Sequence, residues 1–277
     1  MKDFTSDYLG RDARELLKKK LWLLDMDGTI YEGLRVFPGT VPFLNAVRAR
    51  GGNYMMVTNN SSKSVEDYVK KVRKMGIDAT EENFFTSVHA TILYLKEHHP
   101  GARVYAQGTR SFISQLVDAG INVTEEIDKT AAVVLVGFDT ELNFEKMLKT
   151  SEMLTGFKGA YIATNPDFTC PTEFGFVPDC GSMCIGYRYA TGLMPLVIGK
   201  PEPTMLEIAC EKMGVSKDEA VMVGDRNYTD IASGVNAGIT TVAVLTGEST
   251  LDEFLNYDKK PTFVFKSVTE LSELLRQ

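Results

Sequence analysis

Short apolar runs alternate with amphipathic stretches along almost the whole chain, the pattern of a parallel sheet covered by helices. The first strand expected is Leu21–Leu24, after a charged helix ending in Lys18-Lys19-Lys20, where cations suit the helix dipole. A second strand is expected at 54–57, a helix at 64–75 closed by Gly76 and a short strand at 84–85. A helix then runs to His98 and stops at Pro100-Gly101. From about Gly101 the pattern restarts: strand 103–106, helix 111–119, buried strand 132–136, helix Phe144–Leu154 and strand 161–163. A loop rich in Pro, Gly and Asp covers 165–181 before a helix at 182–190. Strand 195–198, helix 203–213, strand 220–223, helix 229–237, strands 240–245 and 262–265 and a closing helix complete the chain. The alternation implies one α/β parallel-sheet core, residues 1–100 and 194–277, interrupted by an inserted α/β domain at 101–193.

Of 277 residues, 44% are hydrophobic and 24% charged, enough to bury a large core and unlike a disordered, collagenous or disulfide-scaffold chain. Thirty Lys and Arg against 37 Asp and Glu give a formal net charge of -7, and such a field repels nucleic-acid backbones. It repels a phosphorylated small molecule as well, so a phosphate site here needs a strong local positive charge such as a metal ion. No apolar run approaches the ~20 residues that span a bilayer, the longest being 131–138. The first twenty residues lack an apolar signal core. Cys170, Cys180, Cys184 and Cys210 match no zinc spacing and read as reduced thiols. A cytoplasmic protein with no membrane or nucleic-acid partner is expected.

Four strand ends carry candidate chemistry. Leu23-Leu24-Asp25-Met26-Asp27-Gly28-Thr29 sets two carboxylates one residue apart beyond an apolar strand, where open α/β sheets bind ligands. One such carboxylate can attack an electrophile, and the other can shuttle a proton to the leaving group. The same pattern also suits a polar turn or a calcium loop. Met56-Val57-Thr58-Asn59-Asn60-Ser61-Ser62 ends a strand in small hydrogen-bonding residues before a helix, which suits an anion or, equally, an ordinary helix cap. In Val197-Ile198-Gly199-Lys200-Pro201-Glu202-Pro203 a lysine at a strand end can place its ammonium against a phosphate or a carboxylate. In Met222-Val223-Gly224-Asp225-Arg226-Asn227-Tyr228-Thr229-Asp230-Ile231 a further acidic cluster could ligate Mg²⁺, which takes hard oxygen donors and keeps several waters, though Asp230 could simply cap a helix. Each has a bland alternative; all four together, in this order and all at strand ends, do not.

These motifs resemble those of the haloacid dehalogenase (HAD) superfamily of phosphohydrolases. Asp25-Met26-Asp27-Gly28-Thr29 resembles its first motif, Thr58 the second, Lys200 the third, and Gly224-Asp225 with Asp230 the fourth. Thr58-Asn59-Asn60-Ser61, Asn165-Pro166-Asp167, Gly199-Lys200-Pro201 and Leu245-Thr246-Gly247 are similar to the class IIA branch, the NagD-like and p-nitrophenylphosphatase-like proteins. The resemblance implies a Rossmann-like core with a C2-type α/β cap and a Mg²⁺-dependent phosphatase acting on a small phosphorylated metabolite. It implies Asp25 as nucleophile, forming an aspartyl-phosphate, with its other oxygen on the metal. Asp27 is implied as general acid and base with its carbonyl on the metal, Thr58 and Asn59 as phosphate-binding residues, and Lys200 as the neutralising cation. Asp225 is implied as a direct metal ligand and Asp230 as its support from behind. Where the branch often carries Gly and a small residue, this chain has Asp179-Cys180. Asn227-Tyr228 stands where Leu and a variable residue are more common. A phospho-ligand-binding protein without catalysis and a phosphoryl-transferring mutase are the alternatives on the same fold. Dehalogenation needs neither Asp27 nor a metal cluster. A homodimer stays open, since no residue pattern sets the oligomeric state.

Overall fold

Leu21, Trp22, Leu23 and Leu24 are all buried, because their strand is paired in parallel on both sides, with Ala220–Gly224 and with Asn53–Thr58. A strand covered on both faces has no polar face to show, hence the unbroken apolar run. The computed structural model, which describes residues 5–172 and 174–277, extends this centre to a six-stranded sheet. Its order is Phe263–Phe265, Thr240–Val244, Ala220–Gly224, Leu21–Leu24, Asn53–Thr58 and Phe84–Thr86. Helices Thr40–Ala49 and Val268–Leu275 pack on each other. From the first of them Phe43 meets Trp22 edge to face at 5.2 Å and 80°, the geometry that ring quadrupoles favour.

By packing, the chain forms two compact units: one takes the residues up to Thr58, Val69–Phe85 and Lys200–Gln277, the other Asn59–Tyr68 and Thr86–Gly199. The second unit has its own five-stranded parallel sheet, ordered Leu196–Val197, Ala160–Ala163, Val133–Val136, Arg103–Gln107 and Asn122–Thr124. Tyr105, Val134, Leu154, Cys180, Cys184 and Tyr187 belong to its core. Helix Ser87–His98 packs on Arg110–Asp118, and Ser87 Oγ donates to the Asn59 carbonyl at 2.6 Å. These contacts, with the pairing of Leu196–Val197, give the second unit 59–68, 86–100 and 194–199 besides the 101–193 expected from the restart of the pattern.

The structure corrects several local expectations. The 165–181 stretch is no plain loop: Thr169–Thr172 and Gly175–Pro178 pair antiparallel as a hairpin, and helix Cys180–Thr191 starts directly after it. The 229–237 helix is divided into a π-helical turn, Asn227–Ile231, and a short helix, Ala232–Ala237. The charged segment before the first strand is a 3₁₀ turn, Arg14–Lys18. Helix Thr40–Ala49, strand Asn122–Thr124 and helix Leu251–Asn256 lie where the pattern predicted no element. Residues 1–4, part of the stretch read as lacking a signal core, and Glu173 in the 165–181 stretch lie outside the described residues. Among the described residues no helix is long and apolar enough to cross a membrane.

Candidate active site

The central strands of the six-stranded sheet run parallel, so their carboxyl ends deliver the motif residues to one edge. Asp25 follows Leu24, and its N–H donates to the Val223 carbonyl at 2.9 Å, which holds the first motif beside the fourth. The register pairs Leu24 with Met56 on one side and with Val223 on the other, so Thr58 and Asp225 end the flanking strands close to the same level. Lys200 ties them together. Its Nζ donates to Asp25 Oδ1 at 2.7 Å, to Asp230 Oδ1 at 2.6 Å and to the Val57 carbonyl at 3.3 Å.

Lys200 is buried at 3% exposure. Burial alone would discharge it, but the carboxylates of Asp230 and Asp25 outweigh that cost and hold its pKa above the usual lysine value. Asp230, fully buried, sits on the π-helical turn and accepts the Arg226 N–H at Oδ2 at 3.1 Å, so both of its oxygens are engaged. Burial, then repulsion from Asp25, pushes its pKa to about 6 against the opposing pull of Lys200. Asp225 is pushed to about 7 by burial and by the charges of Asp25 and Asp230.

A cradle fixes Asp225. Thr29 Oγ1 donates to its Oδ1 at 3.1 Å and the Glu248 N–H to its Oδ2 at 2.8 Å. Gly28, at φ +85°, takes a backbone conformation unfavourable to side chains, and a Cβ there would lie 2.5 Å from Asp225 Oδ2. At Gly247 a Cβ would lie 1.9 Å from the same oxygen. The first-motif turn is thus glycine for two reasons, and the 245–247 segment, given no role in the chemistry from sequence, supplies the other wall.

Carboxylate oxygens of Asp25, Asp225 and Asp230 all lie within 4.8 Å of one another. Three carboxylates so close, with raised pKa values on two, make a site that a cation relieves. All-oxygen donors on rigid strand ends fit a hard divalent ion such as Mg²⁺. Asp27 lies outside this cluster: its side chain is exposed and accepts a long contact of 3.4 Å from the Gly33 N–H. Thr58 is half-buried at the strand end. Asn59 is nearly buried, and its Nδ2 donates to Asp167 Oδ2 at 2.9 Å. Asn165-Pro166-Asp167 is marked in the sequence only as a branch-like motif within the 165–181 stretch, and nothing there points to this bond, which spans 108 residues. Asp179, whose presence departs from the branch pattern, caps helix Cys180–Thr191 and accepts from Asn165.

Comparison with known proteins places these features in a group. A family model described as haloacid dehalogenase-like hydrolase matches residues 22–122, and a HAD-hydrolase-like model matches 197–271. The chain is 38% identical over 252 residues to an acid sugar phosphatase of Staphylococcus aureus (strain MRSA252), covering 91% of this chain and 96% of that one. It is similar to the crystal structure of a 4-nitrophenylphosphatase from Thermotoga maritima, with a TM-score of 0.87 and 38% identity, covering 94% of this chain and 98% of that one. It is also similar to NagD from E. coli K-12, with a TM-score of 0.83 and 31% identity, covering 91% of this chain and 98% of that one.

Proposed function

The chain belongs to the haloacid dehalogenase-like hydrolases, and on that premise we propose that it removes phosphate from a small phosphorylated metabolite through an aspartyl-phosphate on Asp25. It is a phosphatase of the NagD-like, class IIA type. The observation that carries the mechanism is Lys200, whose ammonium lies 2.7 Å from Asp25 and 2.6 Å from Asp230.

The ammonium, 2.7 Å from Asp25 Oδ1, orients that carboxylate while a phosphate dianion approaches. One Asp25 oxygen attacks phosphorus as the ester oxygen departs, and Asp27 gives that oxygen its proton. Asp27, now a carboxylate, takes a proton from water. The water oxygen attacks phosphorus, the bond to Asp25 breaks and inorganic phosphate leaves. Thr58 and Asn59 hold the non-reacting oxygens, Thr58 by its hydroxyl. With its side chain on Asp167, Asn59 contributes through its main chain. Asp25, the Asp27 carbonyl and Asp225 would hold Mg²⁺, with Asp230 behind them. Bound there, the ion offsets the crowded carboxylates and stabilises charge on the transferring phosphoryl group.

The second unit, which contains 101–193, is proposed as the inserted cap domain and the first unit as the catalytic core. Sugar phosphates are the first substrate class to try, since relatives bear the name acid sugar phosphatase. The test is phosphate release from p-nitrophenyl phosphate and a panel of sugar phosphates. EDTA is expected to abolish it, Mg²⁺ to restore it and Ca²⁺, with its looser coordination, to support it poorly. Full turnover in EDTA with no metal by elemental analysis sinks the metal assignment, and full turnover by Asp25→Asn sinks the nucleophile.

A further inference from the structure

Asn59 directly follows Thr58, and its side-chain amide is committed inside the second unit. The Asp167 Oδ2 that accepts from it also accepts from Asn165 Nδ2 at 3.1 Å, and that same nitrogen donates to Asp179 Oδ1 at 3.0 Å. From the other side, the Phe138 N–H donates to Ser61 Oγ at 2.8 Å. Ser61 Oγ lies 3.0 Å from Thr164 Oγ1, and Thr164 donates to Asn165 Oδ1 at 2.9 Å. With the Thr164 hydrogen on Asn165, Ser61 supplies the donor between the two hydroxyls.

These bonds close a ring. Asn59 and Ser61, in the turn after strand Asn53–Thr58, are both fastened to Asn165, one through Asp167 and one through Thr164. Ser61, Thr164 and Asn165 are at 0% exposure. Gly199, the residue before Lys200, joins the same ring: its N–H donates to the Thr164 carbonyl at 2.9 Å. It lies so close that a Cβ there would stand 2.6 Å from Asn59 Oδ1 and 2.7 Å from Thr164 O. One polar network, buried except at the half-buried Asp167, therefore grips the residue after Thr58 and the residue before Lys200.

We propose that Asp167 is a positioning residue for phosphate binding, holding Asn59 and so the peptide that leaves Thr58. The inference rests on the phosphate-handling roles given above to Thr58, Asn59 and Lys200. The physical case is that a satisfied network, buried at Ser61, Thr164 and Asn165 and half-buried at Asp167, favours one arrangement. A carboxylate suits the junction because two N–H donors converge on one oxygen, and an acceptor-only group has no hydrogen left to satisfy. Letting that junction go frees the Asn59 turn to shift, and a displacement of about 1 Å in a binding group can cost on the order of 10²-fold in rate.

The test uses the full chain with Mg²⁺ and p-nitrophenyl phosphate. Asp167→Ala is expected to lose about 10²-fold in kcat/KM, while Asp167→Asn, whose carbonyl can still accept both N–H groups, recovers most of the loss. Asn59→Ala should lose a similar factor, and the double variant no more than either single one, because both cut the same link. A merely structural role would lower the melting temperature without this non-additivity or rescue. If Asp167→Ala fails to fold, Asn59→Ser, too short to reach Asp167, carries the same expected loss. Unchanged kcat/KM in Asp167→Ala, losses that multiply in the double variant, or no rescue by Asp167→Asn overturns the proposal alone. An unaltered protein that releases phosphate from no ester overturns the functional reading and the proposal with it.

Discussion

Lys200→Met takes the cation from between two carboxylates while keeping the length and apolar stem of the side chain, so no large cavity confuses the result. At 2.7 and 2.6 Å, the gross attraction is about 6 kcal/mol per pair at an effective dielectric near 20. Taking three ions out of water offsets most of that. The quantity that matters is what remains when the cation is gone: Asp230 at 0% exposure and Asp25 half-buried, facing each other with neither paired to a cation and only the field of Arg226 to offset them. Breaking a buried pair in this way costs about 3–5 kcal/mol. Urea unfolding in EDTA, where no metal can substitute, should show that loss as a lower midpoint at an unchanged slope. Adding Asp230→Asn to Lys200→Met should restore part of the stability, because one orphaned charge has been removed. A loss below about 1 kcal/mol, or a double variant no more stable than the single, would refute the claim that Lys200 holds these carboxylates together.

Asp27→Asn should slow an alkyl phosphate in the first step by about 10²–10⁴-fold, yet still give a burst of p-nitrophenol, which leaves readily as an anion; rapid-quench kinetics showing equal slowing for both substrates would mean the acid is another residue. Gly247→Ala must displace Asp225, whose Oδ2 would lie 1.9 Å from the new Cβ, so calorimetric titration should show Mg²⁺ binding weakened by about 10-fold or more, and unchanged affinity would count against Asp225 as a ligand. Asp179 has its pKa raised from 3.8 to about 6, chiefly by burial. Its ionised form is therefore penalised in the folded state: the penalty is absent below the unfolded pKa, grows between about pH 4 and 6, and is complete above. Asp179→Asn should accordingly gain stability over the unaltered chain as pH rises through that window, by up to about 3 kcal/mol. Chemical unfolding at pH 4 and 7 giving the same difference would show that Asp179 is not so perturbed.

The sequence by itself determined the α/β class, the two runs of strand–helix alternation and the carboxylates at the strand ends. It could do so because a parallel strand buried on both faces must be apolar throughout, and the residues just past its carboxyl end are left at an open edge. Asp25, Thr58 and Asp225 were legible for that reason, whereas Lys200 follows Leu196–Val197, an edge strand of the five-stranded sheet that is not buried, and stood out by its Gly-Lys-Pro motif. Helix Thr40–Ala49 escaped because Pro42 stands within it, and Pro reads as a breaker although the first turn of a helix tolerates it. The hairpin of Thr169–Thr172 and Gly175–Pro178 escaped because its side chains are mostly exposed and show no buried face with period two. Tertiary structure alone decided that Lys200 bridges Asp25 and Asp230, that Gly28 and Gly247 wall in Asp225, and that the Asn59 amide donates to Asp167. Those pairings join residues up to about two hundred positions apart. Local propensity extends only over a helical turn or a hairpin, whereas a polar group finds its partner once the strands have stacked and water has been excluded around it.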